Sequence, residues 1–148
     1  MSDAVILDAG PLGVLVNKSN AAQPVAIRAW VAALQGAGRR VIIPEITDYE
    51  VRRELIRIGS NAAIANLDRW ELQLEYLPLS TVAMRRAADL WAQARNMGQQ
   101  TAPNHSLDCD VILAAQAETL GVPFIVATGN PAHLSRYVPA ELWQNIVP

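Results

Sequence analysis

Apolar residues along this chain fall into two kinds of run. Val5-Ile-Leu7, Val41-Ile-Ile43 and Phe124-Ile-Val-Ala127 are short and unbroken. Such runs suit strands covered on both faces, as in a parallel sheet. Between them, apolar positions return at helical spacing. Leu12, Leu15 and Val16 predict a short helix after the first strand. Residues 24–34 carry Val25, Ala26, Trp30, Ala33 and Leu34 in a second helix that Gly36-Ala-Gly38 closes. Pro44 stops the second strand, and Thr47-Asp-Tyr-Glu50 opens a long helix through Ile58, capped by Gly59. Residues 61–74 predict another helix, with Ile64, Leu67 and Leu74 on one side. Residues 76–79 read as a short strand that Pro78 assigns to an edge. Residues 81–96 predict a helix carrying Met84, Ala87, Ala88, Trp91 and Ala94, residues 98–105 a polar loop, and residues 142–147 a last strand.

The stretch from Ser106 to Asn130 stands apart. Its helix is nearly all small and apolar (Val111, Ile112, Leu113, Ala114, Ala115, Ala117, Leu120), so it is buried against the sheet. Gly121 ends it and Pro123 follows. Two carboxylates, Asp108 and Asp110, stand at its start. Carboxylates so close to an apolar core need neutralising, and a cation is the usual means. Strands alternate with helices throughout, which predicts a three-layer α/β/α fold with a mostly parallel sheet, one domain over residues 1–148.

The totals narrow the class. A chain of 148 residues with 51% hydrophobic residues builds one real core and is not disordered. No apolar run approaches the roughly 20 residues of a membrane span. The first residues show neither a basic segment nor a cleavage signal, so a cytoplasmic protein is expected. A single cysteine, Cys109, excludes an internal disulfide framework and a cysteine zinc site, and reads as a small buried hydrophobe. Net charge is −2, which excludes a basic nucleic-acid coat protein. The cations are nonetheless uneven, with Arg39, Arg40, Arg52, Arg53 and Arg57 close together.

Asp8 and Asn130 directly follow the two runs expected at the centre of the sheet, and Glu50 and Asp110 lie about one turn into helices. Sites on open parallel sheets form beyond the carboxyl ends of the strands, at the switch point. Each residue also has a structural explanation. Asp8 suits an Asx-turn before Gly10-Pro11, Thr47-x-x-Glu50 fits a capping box, Ser106 suits a cap with Asp108 and Asp110 answering the helix dipole, and Asn130 suits a turn. Together they argue otherwise. Several carboxylates in one apolar crevice repel unless a cation neutralises them, and oxygen ligands alone favour Mg²⁺ or Mn²⁺. A phosphoacceptor domain would need a late lysine, and the sole lysine is Lys18. Gly10 disfavours an Asp-x-Asp phosphatase, and no glycine-rich nucleotide motif is present.

The order of these residues resembles the PIN-domain ribonucleases, and among them the VapC-like toxins of bacterial toxin–antitoxin pairs. The carriers are Val5-Ile-Leu-Asp8 with Gly10-Pro11-Leu12, then Ile46-Thr-Asp-Tyr-Glu50-Val-Arg-Arg-Glu-Leu55, and above all Asp110-Val-Ile-Leu-Ala-Ala-Gln-Ala with Gly121 and Thr128-Gly-Asn130. The resemblance implies that Asp8, Glu50 and Asp110 are catalytic metal-binding acids. It places Asn130 where the family has a fourth acid, a departure, with Asp108 as a possible substitute ligand and Thr128 as an orienting residue. On a helix Asp108 points roughly 200° from Asp110. The implied activity is Mg²⁺- or Mn²⁺-dependent hydrolysis of RNA, with an antitoxin protein as partner. The alternative is a degenerate module that binds RNA or protein without cutting. Arg52, Arg53 and Arg57 are candidates for holding backbone phosphate, against ion pairing on a solvated helix. Tyr49 is expected in the core rather than stacked on a base. His105 and His133 are expected in loops, and the four tryptophans as core or interface anchors. The large apolar fraction predicts a homodimer.

Overall fold

The computed structural model describes residues 3–98 and 104–148. The first apolar run forms strand β1 (Ala4–Leu7), buried throughout. Its side chains alternate between two cores, as strand geometry requires. Ala4 and Ile6 enter one cluster, Val5 and Leu7 the other. The strand is followed at once by α1 (Ala9–Val16) and then by α2 (Ala22–Gly36), which leads into β2 (Val41–Pro44). Next come α3 (Glu45–Arg57), α4 (Asn61–Gln73), β3 (Glu75–Leu77) and α5 (Thr81–Asn96). The chain ends with α6 (Asn104–Glu118), β4 (Phe124–Thr128), α7 (Pro131–Leu134), β5 (Ala140–Leu142) and a 3-10 turn, Trp143–Asn145.

The sheet order is β3-β2-β1-β4-β5, and every pairing is parallel. The chain builds outward from β1 to β3 on one side, then returns to place β4 and β5 on the other. The strand order therefore reverses between β1 and β4, whose registers pair Leu7 with Ala127. One face of the sheet is covered by α5, α6 and α7, the other by α1, α2, α3, α4 and the C-terminal Trp143 and Ile146. The α/β/α expectation is met. Trp30 and Trp143 are buried with ring centroids 5.4 Å apart, and Trp30 Nε1 donates to the Ile146 carbonyl at 2.8 Å. Trp70 and Trp91 are only half-buried.

Several boundaries differ from the sequence pattern. Helix α3 begins at Glu45, immediately after the strand, so Thr47 and Glu50 lie inside it and form no capping box. Its first turn is served from elsewhere. The fully buried Gln116 of α6 accepts from the Ile46 amide at 3.2 Å through Oε1 and donates Nε2 to the Leu77 carbonyl at 2.9 Å. Glu45 accepts from the Leu79 amide at 2.7 Å. Gly59 ends α3 as expected. At φ +71° it lets the Ser60 amide reach the Leu55 carbonyl at 2.9 Å, and its own amide reaches Ile56 at 3.1 Å, a Schellman closure. Helix α6 starts at Asn104, so His105 belongs to a helix rather than a loop, and Asp108 and Asp110 are its fifth and seventh residues. Ser106 is the third residue of α6 and so does not cap it, and the rest of the polar loop, residues 99–103, lies outside the described residues. His133 lies in α7. The last strand is shorter and earlier than residues 142–147, because Trp143 turns inward to meet Trp30.

Candidate active site

The reversal between β1 and β4 opens a crevice at the carboxyl ends of both strands. Asp8 leaves β1 there and is the N-cap of α1. Its Oδ1 accepts from the Ala9 amide at 2.8 Å and its Oδ2 accepts from Thr128 Oγ1, at the end of β4, also at 2.8 Å. Thr128 Oγ1 in turn accepts from the Asn130 amide at 3.1 Å. The capping and the functional readings of Asp8 thus coexist. One oxygen serves the helix and the other is aimed across the switch point. Gly10, in the first turn of α1, lies against the Gly129 backbone, where a Cβ would stand 3.5 Å from the Gly129 nitrogen.

Glu50 reaches the crevice from α3 and Asp110 from α6. The three carboxyls sense one another. Burial pushes Asp8 above the usual carboxylate range, against the hydrogen bonds from Thr128 and Ala9. Burial and then the charge of Asp8 raise Glu50, while Arg53 and the Cys109 thiol oppose. Burial, then Asp8 and Glu50, raise Asp110 to about 7, opposed by Arg136. The physical cause is common to all three: negative charge is gathered where water is scarce.

The donor set is all oxygen, which suits a hard divalent cation. Among the described residues no three His, Cys, Asp or Glu side chains are drawn together into a ready-made metal cage. That still fits Mg²⁺, which commonly binds through one or two carboxylates and keeps waters or substrate phosphates for its remaining positions.

The other expected residues separate. Asp108 is exposed and lines a groove with Met84, Ala88 and Trp91 of α5, apart from the three acids. Asn130 is exposed at the rim and its side chain caps nothing. Arg52 is committed to carboxylates, with Asp48 at 2.8 Å, Asp68 at 2.7 Å and Glu71 at 3.5 Å. Arg57 pairs with Glu54. Ion pairing therefore describes Arg52 and Arg57. Arg53 differs. Its guanidinium lies 5.0 Å from the Tyr49 ring centroid, and it lines a hollow with Glu50, Ala9 and Gly10. Tyr49 is 53% exposed, so the expectation of core packing fails.

Three participants escaped sequence reading. Arg136 supplies positive charge near Asp110, and the only hint was its place shortly after the Thr128-Gly-Asn130 loop. The buried Tyr137 hydroxyl has no hydrogen-bond partner among the described residues, and Asp110 adds to burial in raising its pKa. Cys109 is buried as expected, but its thiol also contacts Glu50, and burial with the neighbouring acids pushes it up to about 11.

A parallel sheet reversed between β1 and β4, with Asp8 at that point and its charge felt by Glu50 and Asp110, defines an α/β protein with an acidic switch point. Within that class, residues 5–137 match the PIN domain family, and the chain belongs to it. Among curated proteins, none matches the chain by sequence. Solved structures share the fold. A chain of VapBC2 from Rickettsia felis, bound to a DNA fragment from its promoter, superposes with TM-score 0.72 at 17% identity, covering 95% of this chain and 98% of that one. A chain of DNA-bound VapBC from Salmonella typhimurium gives 0.69 at 23% identity over 96% and 99%. One of FitAcB from Neisseria gonorrhoeae gives 0.65 at 17% over 96% and 99%. No helix among the described residues is long and apolar enough to cross a membrane.

Proposed function

We propose that this chain is a Mg²⁺- or Mn²⁺-dependent endoribonuclease and the toxin of a type II toxin–antitoxin pair. The observation that carries the reading is Asp8 at the switch point with its charge felt by Glu50 and Asp110, each of the three held above its usual pKa first by burial. Family membership and the fold shared with chains of VapBC complexes support it. Asp8 and Asp110, with Glu50, would hold the cation. When bound, the cation polarises a phosphate oxygen and lowers the pKa of a water. The chain's own residues do the rest. Thr128 fixes the Asp8 carboxylate, the α1 amide at Ala9 keeps its other oxygen in place, and Arg53 and Arg136 offer positive charge to the phosphodiester. The sparse water around the acids strengthens each of these interactions.

The partners proposed are RNA as substrate, an antitoxin segment over the acidic crevice, and a second copy of the chain. Exposed apolar residues such as Ile56, Leu72, Val82 and Met84 support an interface. One observation favours a second reading, the non-cutting module: Asn130 brings no charge to the fourth position. The test is RNA cleavage by purified protein with Mg²⁺ or Mn²⁺, with and without EDTA. Turnover that EDTA stops and Asp8→Asn abolishes supports the nuclease. RNA binding with no turnover under any metal supports the module.

A further inference from the structure

The arginines that sequence pattern offered to RNA are largely committed to carboxylates, yet other cations are not. Lys18, Arg28 and Arg69 come together around a cavity of about 350 Å³ that Asn66, Trp70 and Gln73 complete. No acid lines it, and among the described residues none of these three cations forms an ion pair. Their contacts are with neutral oxygens. Arg28 donates to the Asn17 carbonyl at 3.2 Å and the Ser19 carbonyl at 3.3 Å, and Arg69 donates to Asn66 Oδ1 at 3.2 Å. Asn66 is itself fixed by its bond to the Val16 carbonyl at 2.8 Å. In a chain of net charge −2, three uncompensated cations around a half-buried indole are a positive island.

The cavity neighbours further hollows on the side of the acidic crevice. Lys18 lines both it and a neighbouring hollow that includes Gly13 and Leu55. Gly13 and Leu55 line the next hollow as well, which contains Glu50 and Arg53. These neighbouring hollows share lining residues beside α1, whose eight residues span about 12 Å. One end is anionic and suits a metal; the other is cationic and aromatic.

We infer that the Lys18–Arg28–Arg69–Trp70 cavity is a second contact site for the RNA strand, taking a backbone phosphate on its cations and a base against Trp70, a few nucleotides from the bond at the acids. Guanidinium and ammonium groups hold phosphate, and aromatic side chains stack on unpaired bases without regard to sequence. The site deepens the ribonuclease reading and takes its substrate from it.

The test measures binding of a fluorescent single-stranded oligoribonucleotide in EDTA, where cutting cannot occur, across a salt series. It compares wild type with Lys18→Ala/Arg69→Ala, both exposed positions, and with Trp70→Phe, each checked for folding by circular dichroism. The double variant is expected to bind about tenfold more weakly, with a salt slope flatter by about 1.4, two contacts at about 0.7 each on a single strand. Trp70→Phe should remove most of the tryptophan quenching that the oligonucleotide causes. With metal present, KM should rise and kcat hold. Variants that bind and quench as wild type overturn the inference. So does a polyglutamate peptide that binds as tightly as RNA and is lost with the same substitutions, since the cavity would then take an acidic protein segment. If no metal supports cleavage and the variants still lose oligonucleotide affinity, the nuclease reading fails and this contact site stands.

Discussion

Thr128 Oγ1 donates to Asp8 Oδ2 at 2.8 Å, a bond that spans 120 residues of sequence and joins the carboxyl ends of the two central strands. Thr128 is almost fully buried, and its hydroxyl also accepts from the Asn130 amide, so one side chain positions both the first acid and the loop that follows β4. Thr128→Val keeps the shape and removes both bonds. A buried group left without its partner costs about 1–3 kcal/mol. Urea denaturation should show a loss of that size, and cleavage should fall, whereas Thr128→Ser should retain most of both.

Asp110→Asn removes a charge that burial, Asp8 and Glu50 all oppose. Without metal the variant should therefore melt at or above the wild-type temperature. With Mg²⁺ or Mn²⁺ the order should invert. Wild type gains about 2.7 kcal/mol at one hundred times the dissociation constant, and the variant gains little. Thermal melts with cation and then EDTA check this. Because the carboxyl of Asp110 titrates near 7 and must be ionised to bind, metal affinity should rise as pH rises through about 7.

Glu71 offers a pH test away from the acids of the crevice. Burial and then Asp48 raise its pKa from 4.5 to about 8, and Arg52 only partly offsets this. Burial alone would raise Asp48 too, but its bonds from Arg52 and Glu71 leave it lowered. The folded state therefore binds the Glu71 proton more tightly than the unfolded chain does. That contribution to stability is complete below about 4.5 and is lost as pH rises through about 8. Glu71→Gln should flatten the fall across this window in stability measured by denaturant titration. A variant whose profile still matches wild type between these values would show that Glu71 is not the proton site.

Arg52→Ala and Arg53→Ala should behave oppositely. Arg52 holds Asp48, Asp68 and Glu71 together, so its loss strands like charges and lowers the melting temperature. Its effect on RNA affinity should be small. Arg53 lies beside Glu50 without an ion pair among the described residues, so Arg53→Ala should weaken RNA binding and leave stability nearly unchanged. Filter binding and thermal melts on the same preparations separate the two.

Gln116→Leu should be costly although the volume is nearly conserved. It deprives the Ile46 amide and the Leu77 carbonyl of their partner in a fully buried place. A loss of roughly 2–6 kcal/mol is expected, two unsatisfied groups at about 1–3 kcal/mol each. Since Ile46 lies in the first turn of the helix that carries Glu50, cleavage should fall as well.

The sequence by itself determined the layers and the acids. Unbroken apolar runs such as Val5-Ile-Leu7 can be buried on both faces only in a covered parallel sheet, and the helical periodicity over 81–96 matches α5 to the residue. Asp8 was legible because strand ends in such sheets face the site, whereas Thr128 entered only through the family resemblance. The charged surface was not legible. Arg52 and Arg53 are adjacent in sequence and equivalent by composition. Only the packing of α4 beside α3, which brings Asp68 and Glu71 to Arg52, assigns one to an ion-pair network and leaves the other at the crevice. For Asp108 and Asp110 helix geometry already set the two apart, but only the packing of α6 assigns Asp108 to α5 and Asp110 to the acids. The same holds for Lys18, Arg28 and Arg69, scattered over 52 positions and gathered by the loop between α1 and α2, by α2 and by α4. Backbone burial is dictated by local pattern, whereas the partner of a long charged side chain is set by whichever element arrives beside it.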